Sequence, residues 1–394
     1  MGESKGNALV QQRLKAWQPF LSPTGVIVIF GAISAIFIGA GIAITIVNSS
    51  LVEISKTYSA EPSLVNGYMQ SKMVDLRITI TEDMTGPVYV YYGLSNFYQN
   101  HRRYVSSRSD SQLVGASLST DASDYSSACT PMTSDSGANL LYPCGLVAWS
   151  VFNDTFSFFI KDSVSAADSS AVALEMDESP LTIAWRSDVE RKFGNIVPSD
   201  IASSGSPYSD LMNMWIVSDF PPALCKPTSL SSTSQPVYVR TVEVSGKSYR
   251  KADCDYSAKT CSFTLDRSSN EEFTCANGFE RIVNPAGWGV ENGHFINWMR
   301  TAGLPEFRKL YAKIPTSLTK GQVIIVRIEG AFPVDSFGGS KRIIFATTST
   351  LGGKNTFLGY AYLTVGVIAG LFAILFAFRH FTTSRSLEDI RYLD

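Results

Sequence analysis

Six cysteines offer the clearest chemistry in this chain of 394 residues. Thiolates bind zinc or form disulfide bonds, but many zinc sites contain C-x-x-C pairs, and no such pair occurs here. An even number of cysteines outside the cytosol is typical of disulfides, because that compartment is oxidising. We therefore predict disulfide bonds among Cys129, Cys144, Cys225, Cys254, Cys261 and Cys275.

Catalytic motifs are incomplete in this sequence. The run Gly-Lys-Ser at 246–248 resembles the end of a phosphate-binding loop, but Thr241 stands where that motif has its first glycine. The D-K-T-G run that would carry the phosphorylated aspartate of a P-type ATPase is missing. The histidines, which lack the spacing of paired zinc ligands, are His101, His294 and His380. These patterns predict no enzymatic activity, no cofactor and no metal site.

A cationic, aromatic run, NFYQNHRRY, occupies residues 96–104. One hypothesis is that it binds an anion or a lipid headgroup. The alternative is a packed network in which Arg102 and Arg103 pair with carboxylates and His101 forms local hydrogen bonds. The aromatic residues, which favour the packed alternative, are Phe97, Tyr98 and Tyr104.

Two long apolar blocks determine where these residues lie. Gly25–Val47 and Phe357–Phe378 contain no ionisable side chain. About 22 residues in a helix span about 33 Å, enough to cross a hydrocarbon core of about 30 Å. The backbone must satisfy its own hydrogen bonds in lipid, so both blocks should be transmembrane helices. A cleaved signal peptide is disfavoured for the first block, since its apolar part would be shorter.

The flanking charges predict the orientation. Basic residues next to a span favour the cytosol, and both tails, 1–24 and 379–394, contain them. They are Lys5, Arg13, Lys15, Arg379, Arg385 and Arg391. The segment 48–356, with all six cysteines, should therefore be lumenal or extracellular. Asn153-Asp154-Thr155 in this segment is a glycosylation sequon, with Asn153 as the acceptor.

The segment 48–356 shows mainly β patterns, which predict an antiparallel β (α+β) ectodomain. Val74–Thr81 alternates strictly between apolar and polar residues, and Val88–Leu94 follows a turn, so we expect the two to pair. Further predicted strands are Pro236–Val244, Gln322–Glu329 and Lys341–Thr348.

Residues 294–314 give the best helical signal in the ectodomain. Gly303 and Pro305 should divide them into two helices, with Pro305 early in the second. The residues that would share one face of that second helix are Phe307, Leu310, Tyr311 and Ile314.

Both predicted spans carry small residues at helical spacing, which allow another helix to approach closely. The first has Gly31, Ala35, Gly39 and Ala43, and the second has Gly366 and Gly370. These stripes predict packing against a partner's helix or of the two spans against each other. The spans contain no polar pathway, which disfavours transport through this chain itself.

Several runs resemble the CDC50/LEM3 family of accessory subunits of P4-type ATPases. They are QQRLKAWQP at 11–19, YGLSNFYQNHRRYVSSRSDSQ at 92–112, PCG at 143–145, FNDT at 152–155, IAWRSD at 183–188, residues 298–311 and GGKNTFLGYAY at 352–362. The similarity runs in order from about residue 11 to about residue 378, which makes it highly specific.

The resemblance implies a noncatalytic β-subunit that pairs with a P4-type ATPase as a heterodimer. Such subunits help the pump leave the endoplasmic reticulum and support the movement of phospholipid toward the cytosolic leaflet. It also implies that Cys129 pairs with Cys144 and that Asn153 is glycosylated. Some members have a cysteine cluster that this chain lacks, so the pairing of the four later cysteines stays open. The resident membrane would be the endoplasmic reticulum, Golgi, endosomes or plasma membrane.

Two other classes of protein fit the sequence less well. A ligand-gated channel subunit also has two spans, but it should form homo-oligomers with polar residues lining a pore, and these spans are apolar. An ectoenzyme or receptor needs convergent polar groups, which the sequence does not show. The net charge of −2 disfavours a nucleic-acid partner.

Overall fold

The computed structural model describes residues 22–65, 68–115, 123–133, 141–195, 215–221, 223–231, 239–240, 273–274, 278–350 and 352–382. It contains two compact units, Leu51–Leu351 on the one hand and Met1–Ser50 with Gly352–Asp394 on the other. The predicted strand 236–244 lies mostly outside the described residues.

The described helices are α1 (Pro23–Ser49), α2 (Arg102–Val105), α3 (Asp110–Leu113), α4 (Ser123–Cys129), α5 (Leu146–Trp149), α6 (Pro180–Ile183), α7 (Arg186–Arg191), α8 (Trp215–Asp219), α9 (Gly293–Met299) and α10 (Thr356–Thr382). The described strands are β1 (Glu53–Tyr58), β2 (Ser63–Val65), β3 (Tyr68–Gln70), β4 (Lys72–Thr79), β5 (Val88–Ser95), β6 (Thr155–Lys161), β7 (Val172–Ala173), β8 (Ala223–Pro227), β9 (Val239–Arg240), β10 (Phe273–Thr274), β11 (Phe279–Val283), β12 (Phe307–Ile314), β13 (Val323–Gly330) and β14 (Ser340–Ala346).

The first unit is a pair of long apolar helices. Helices α1 and α10 contain the two predicted spans and are long and apolar enough to cross a membrane. Each extends beyond the uncharged block, and Ser22 caps α1 by accepting a hydrogen bond from the Gly25 amide. Phe37 stacks on Tyr362 with ring centroids 5.2 Å apart, which places the two helices side by side.

Two four-stranded antiparallel sheets form the main core of the second unit. Their strand orders are β1-β14-β5-β12 and β4-β13-β6-β7. Side chains from both sheets meet in one apolar cluster, in which Val90, Ile324, Val326 and Phe345 are fully buried. The mainly antiparallel β ectodomain expected from the sequence is confirmed, together with its strands near 322–329 and 341–348.

The expected pairing of β4 with β5 is wrong. Strand β4 pairs with β13, while β5 pairs with β12 and β14 in the other sheet. After β4 the chain runs alongside the β12–β13 connection. There the Ile80 amide donates to the Gln322 carbonyl, and Met84 forms an antiparallel bridge with Leu318. Strand β13 is mostly apolar and is buried on both faces, so it offers β4 a larger buried surface than a simple hairpin would.

The second predicted helix within 294–314 is also wrong. Helix α9 forms as expected, but residues 307–314 form strand β12, paired with β5. The register shifts between Leu310 and Ala312, as in a β-bulge, so the buried positions change from Lys309 and Tyr311 to Ala312 and Ile314. This shift gives the strand a spacing of apolar residues that resembles a helical face.

Lys309 is buried on β12, and its ammonium donates to the carbonyls of Asn297 and Arg300 at the end of α9. Burial, together with the charge of Arg300, lowers the pKa of Lys309 to about 8. The folded protein therefore loses this proton before the unfolded chain does, and unfolding takes up a proton between pH 8 and pH 10.5.

The contribution of Lys309 to the free energy of unfolding should therefore rise by up to about 3 kcal/mol from pH 8 to pH 10.5. Urea unfolding of the full chain in mild detergent, followed by tryptophan fluorescence, measures this. Lys309→Met is the control, because the difference between the two proteins isolates this side chain. If the difference in unfolding free energy between the two proteins does not change with pH across this interval, the lysine keeps its ordinary pKa.

Candidate functional site

A disulfide lies where the Pro-Cys-Gly motif meets the 92–112 run. Cys129 and Cys144 are joined, with their Cα atoms 5.6 Å apart, and both side chains are buried. Gly145 follows with a φ of +103°, and a Cβ at this position would lie 2.3 Å from the Ser107 carbonyl oxygen. Only glycine fits there without strain, which explains why the run Pro-Cys-Gly ends as it does.

Two polar residues of the 92–112 run hold this disulfide loop in place. The buried Gln112 donates to the Leu141 carbonyl and accepts from the Cys144 amide at 2.8 Å. Ser107 donates to the Cys129 carbonyl and accepts from the Leu146 amide. The run is therefore the scaffold of the disulfide region, a role that the sequence pattern did not reveal.

The cationic, aromatic run is packed on one side and exposed on the other. Phe97 contacts the rings of Tyr104, Trp298, Phe307, Phe332 and Phe337, with centroids 5.5 to 6.4 Å apart. Gln99 is fully buried and accepts from the Ala302 amide. Arg102 and Arg103, however, are exposed on α2 and form no ion pair with any described residue. Packing of the aromatic side is thus confirmed, while pairing of the two arginines with carboxylates inside the described domain is not found, and their pairing at an interface stays a prediction.

Lys341 and Asp154 form an ion pair inside the core, with both side chains at 0% exposure and 2.9 Å between Nζ and Oδ2. Tyr58 donates to the same carboxylate at 2.8 Å, and the Ala331 and Phe332 amides donate to its other oxygen. Burial raises the pKa of Asp154 above its ordinary value, although Lys341 and the amides oppose this. The network joins β1, β14 and the segment before β6.

The same segment places Asn153, the predicted glycan acceptor. Asn153 is half-buried, between the buried residues Phe152 and Asp154, and it lines a pocket in the ectodomain unit. Glu178 and His294 lie in this pocket, so convergent polar groups exist that the sequence pattern did not indicate. Within the described residues, no group of three or more His, Cys, Asp or Glu side chains could hold a metal ion.

The small residues of the spans occupy two different faces. Gly366 and Gly370 face α1, since a Cβ on Gly366 would lie 2.7 Å from Ile38 and one on Gly370 would lie 2.8 Å from Ser34. On α1 the contact glycine is Gly41, which meets Leu363. The sequence pattern did not single out this residue.

The stripe Gly31, Ala35, Gly39 and Ala43 lies on the other side of α1. A Cβ on Gly31 or Gly39 would meet nothing within 4 Å. Packing of the two spans through this stripe is therefore wrong, and a free small-residue face remains on α1. The alternative, packing against a partner's helix, stays a prediction.

The remaining cysteines are only partly visible. Cys225 is disulfide-bonded, and its partner lies outside the described residues. Cys254, Cys261 and Cys275 also lie outside them, so the pairing of these four cysteines stays open.

These features define a class of protein: two apolar helices of membrane-spanning length and a disulfide-bonded, mainly antiparallel β domain inserted between them in sequence. The chain belongs to the LEM3 (ligand-effect modulator 3) family / CDC50 family, whose model matches residues 45–386.

Relatives from plants, animals and yeast cover almost the whole chain. ALA-interacting subunit 3 of Arabidopsis thaliana is 36% identical over 99% of this chain and 89% of its own length. Cell cycle control protein 50A of Mus musculus is 34% identical over 93% of this chain and 86% of its own. Phospholipid-transporting ATPase accessory subunit CRF1 of Saccharomyces cerevisiae is 28% identical over 98% and 86%.

Proposed function

We propose that this chain is a noncatalytic accessory subunit of a P4-type, phospholipid-transporting ATPase. It forms a one-to-one heterodimer with the pump, supports its export from the endoplasmic reticulum and supports movement of phospholipid toward the cytosolic leaflet. The observation that carries the proposal is the match over nearly the full chain to a yeast relative named as an accessory subunit of such an ATPase. The resident membrane is that of the endoplasmic reticulum, Golgi, endosomes or plasma membrane.

The basic tails support an orientation with both termini in the cytosol and the β domain in the lumen or outside the cell. The disulfide supports the same orientation, because such bonds persist in oxidising compartments. In this orientation Asn153 is available to the glycosylation machinery and carries an N-linked glycan. The ion pair, ring cluster and disulfide support a domain that serves as a rigid binding surface.

Removing the chain from its native cell tests this proposal. Uptake of short-chain fluorescent phospholipids should fall, and a P4-type ATPase should accumulate in the endoplasmic reticulum. Re-expression of the chain should restore both. Normal lipid uptake with normal ATPase location in the absence of the chain would exclude the proposed role.

The free small-residue face of α1 supports a helix-to-helix contact with the pump. A stripe of glycine and alanine lets two backbones approach closely in lipid, where dispersion and packing drive association. Helix α10 does not use this stripe, so it is available to a partner.

Enlarging Gly39 should weaken this contact in steps. In the series Gly39→Ala, Gly39→Val and Gly39→Leu, the amount of ATPase that copurifies with the chain should fall progressively, because each larger side chain separates the two helices further. Ile42→Leu, an isomeric change at an exposed position of α1, is the control. Equal recovery of ATPase across the series would place the contact on another face.

A further inference from the structure

The pocket beside Asn153 is lined by both aromatic and polar residues. Its cavity volume is about 100 Å³, and the pocket widens toward solvent at its mouth. The aromatic residues of the lining are Tyr92, Phe152, Phe156, Phe220 and Tyr311. Aromatic faces with a few polar groups are typical of ligand pockets.

The lining also contains a polar group of three residues, of which Glu178 is buried. The Glu178 carboxylate is buried, lies 2.9 Å from the Lys226 ammonium and lies 3.5 Å from Nε2 of His294. The His294 ring stacks on Tyr311 with centroids 4.3 Å apart. Burial raises the pKa of Glu178, but His294 and Lys226 outweigh it and lower the pKa overall, so Glu178 is an ionised acceptor.

His294 lacks the hydrogen bonds that its burial requires. Both ring nitrogens are buried; Nδ1 has no hydrogen-bond partner among the described residues, and Nε2 has only the 3.5 Å contact with the Glu178 carboxylate. Buried polar atoms in native proteins are nearly always satisfied, so such atoms point to a polar ligand or water in the pocket. The pocket thus has unused hydrogen-bonding capacity beside aromatic residues.

The backbone fixes Asn153 at this pocket. Its neighbour Asp154 accepts hydrogen bonds from the Ala331 and Phe332 amides, 2.7 Å each, and its other neighbour, Phe152, stacks on Tyr92. A glycan on Asn153 is attached before the domain folds, since the folded asparagine is half-buried. Its amide nitrogen bonds to the anomeric carbon of the first sugar, and the lipid pyrophosphate of the donor leaves with the proton.

We propose that this pocket binds the innermost N-acetylglucosamine residues of the glycan on Asn153. The aromatic residues of the lining pack on the apolar face of a sugar ring, and Glu178 and His294 bond to its hydroxyl and N-acetyl groups. The glycan thereby becomes part of the folded domain rather than a surface attachment. This inference rests on the glycosylation of Asn153 proposed above, and it is independent of which ATPase the chain binds.

The accessibility of the glycan to an amidase tests the inference. Peptide N-glycosidase cleaves the bond between asparagine and the first sugar. A sugar bound in the pocket should resist this cleavage, because the enzyme cannot reach the bond. The matched control is Ala167→Asn, which creates the sequon Asn-Asp-Ser at an exposed position and keeps the same middle residue type as the native sequon. The substrate is the full chain in mild detergent, with the two glycans separated by peptide mass analysis.

In the native protein the Asn153 glycan should be released at least about tenfold more slowly than the glycan at position 167, and equally fast after denaturation. Equal rates in the native protein would overturn the inference. So would a lack of any mobility change in Asn153→Gln, because the acceptor would then carry no glycan. Recovery of a P4-type ATPase in the same preparation reports separately on the proposed function.

A second variant tests the polar group. Glu178→Gln in the native chain should raise the release rate at Asn153 toward that at position 167, while the rate at position 167 stays the same. An unchanged, slow rate at Asn153 in this variant would exclude Glu178 from holding the sugar.

Discussion

Replacement of Lys341 by methionine is expected to destabilise the ectodomain by about 3 to 5 kcal/mol, enough to prevent export of the chain. The ammonium has 0% exposure and donates to the carbonyls of Ala60 and Phe332 at 2.7 Å each. Without it, the Asp154 carboxylate stays in the core with no cation beside it. An unpaired buried charge is among the most destabilising changes that a single substitution makes.

The neighbouring Arg342 provides a matched control. It is also cationic and also on β14, but its side chain is 30% exposed, and its ion pair is with the largely exposed Glu306. Arg342→Met should change the free energy of unfolding by no more than about 1 kcal/mol. Urea unfolding of full-length proteins in detergent, and the fraction of each protein in cells that leaves the endoplasmic reticulum, measure both effects. Similar losses of unfolding free energy in Lys341→Met and Arg342→Met would contradict a special role for the buried ion pair.

Removal of the Cys129–Cys144 disulfide is expected to have the next largest effect. The bond closes a loop with a sequence separation of 15 residues. In the chain-entropy model such a bond contributes about 3 kcal/mol by restricting the unfolded chain. The double substitution Cys129→Ser with Cys144→Ser should therefore lower the free energy of unfolding by about that amount.

Gln112 and Ser107 connect this loop to the 92–112 run, so the loss should also loosen that run. Hydrogen exchange followed by mass spectrometry should show faster exchange at 99–113 in the double variant. Exchange in β13, an inner strand of the β4-β13-β6-β7 sheet, is the internal control. An unfolding free energy within about 0.5 kcal/mol of the native value would contradict the expected role of the disulfide.

The spans and four of the described strands, β4, β5, β13 and β14, could be predicted from sequence because each depends on a local pattern. An uncharged block of membrane length has few alternatives, and strict alternation such as that at 74–81 has the period of a pleated strand. The structure places α1 and α10 around those blocks and β4 at 72–79. The sequence did not indicate which face of α1 contacts α10, since glycine occurs on the contacting face, at Gly41, and on the free face, at Gly39.

Features that depend on distant parts of the chain could not be predicted. The bulge near Leu310 shifts the period of β12, and only its pairing with β5 shows that the segment is a strand. The pairing of Lys341 with Asp154 joins residues 187 positions apart in sequence. The pocket requires Asn153, Glu178 and His294 to converge, and local pattern contains no information about that convergence.

Affinity purification of the full-length chain from its native membrane in mild detergent, followed by quantitative mass spectrometry, is the most direct test of the account. A P4-type ATPase should be recovered with the chain in roughly equal amounts, and Gly39→Leu should lower that recovery. A chain that purifies alone or as a homo-oligomer, with no P-type ATPase present, would contradict the proposal that it is an accessory subunit.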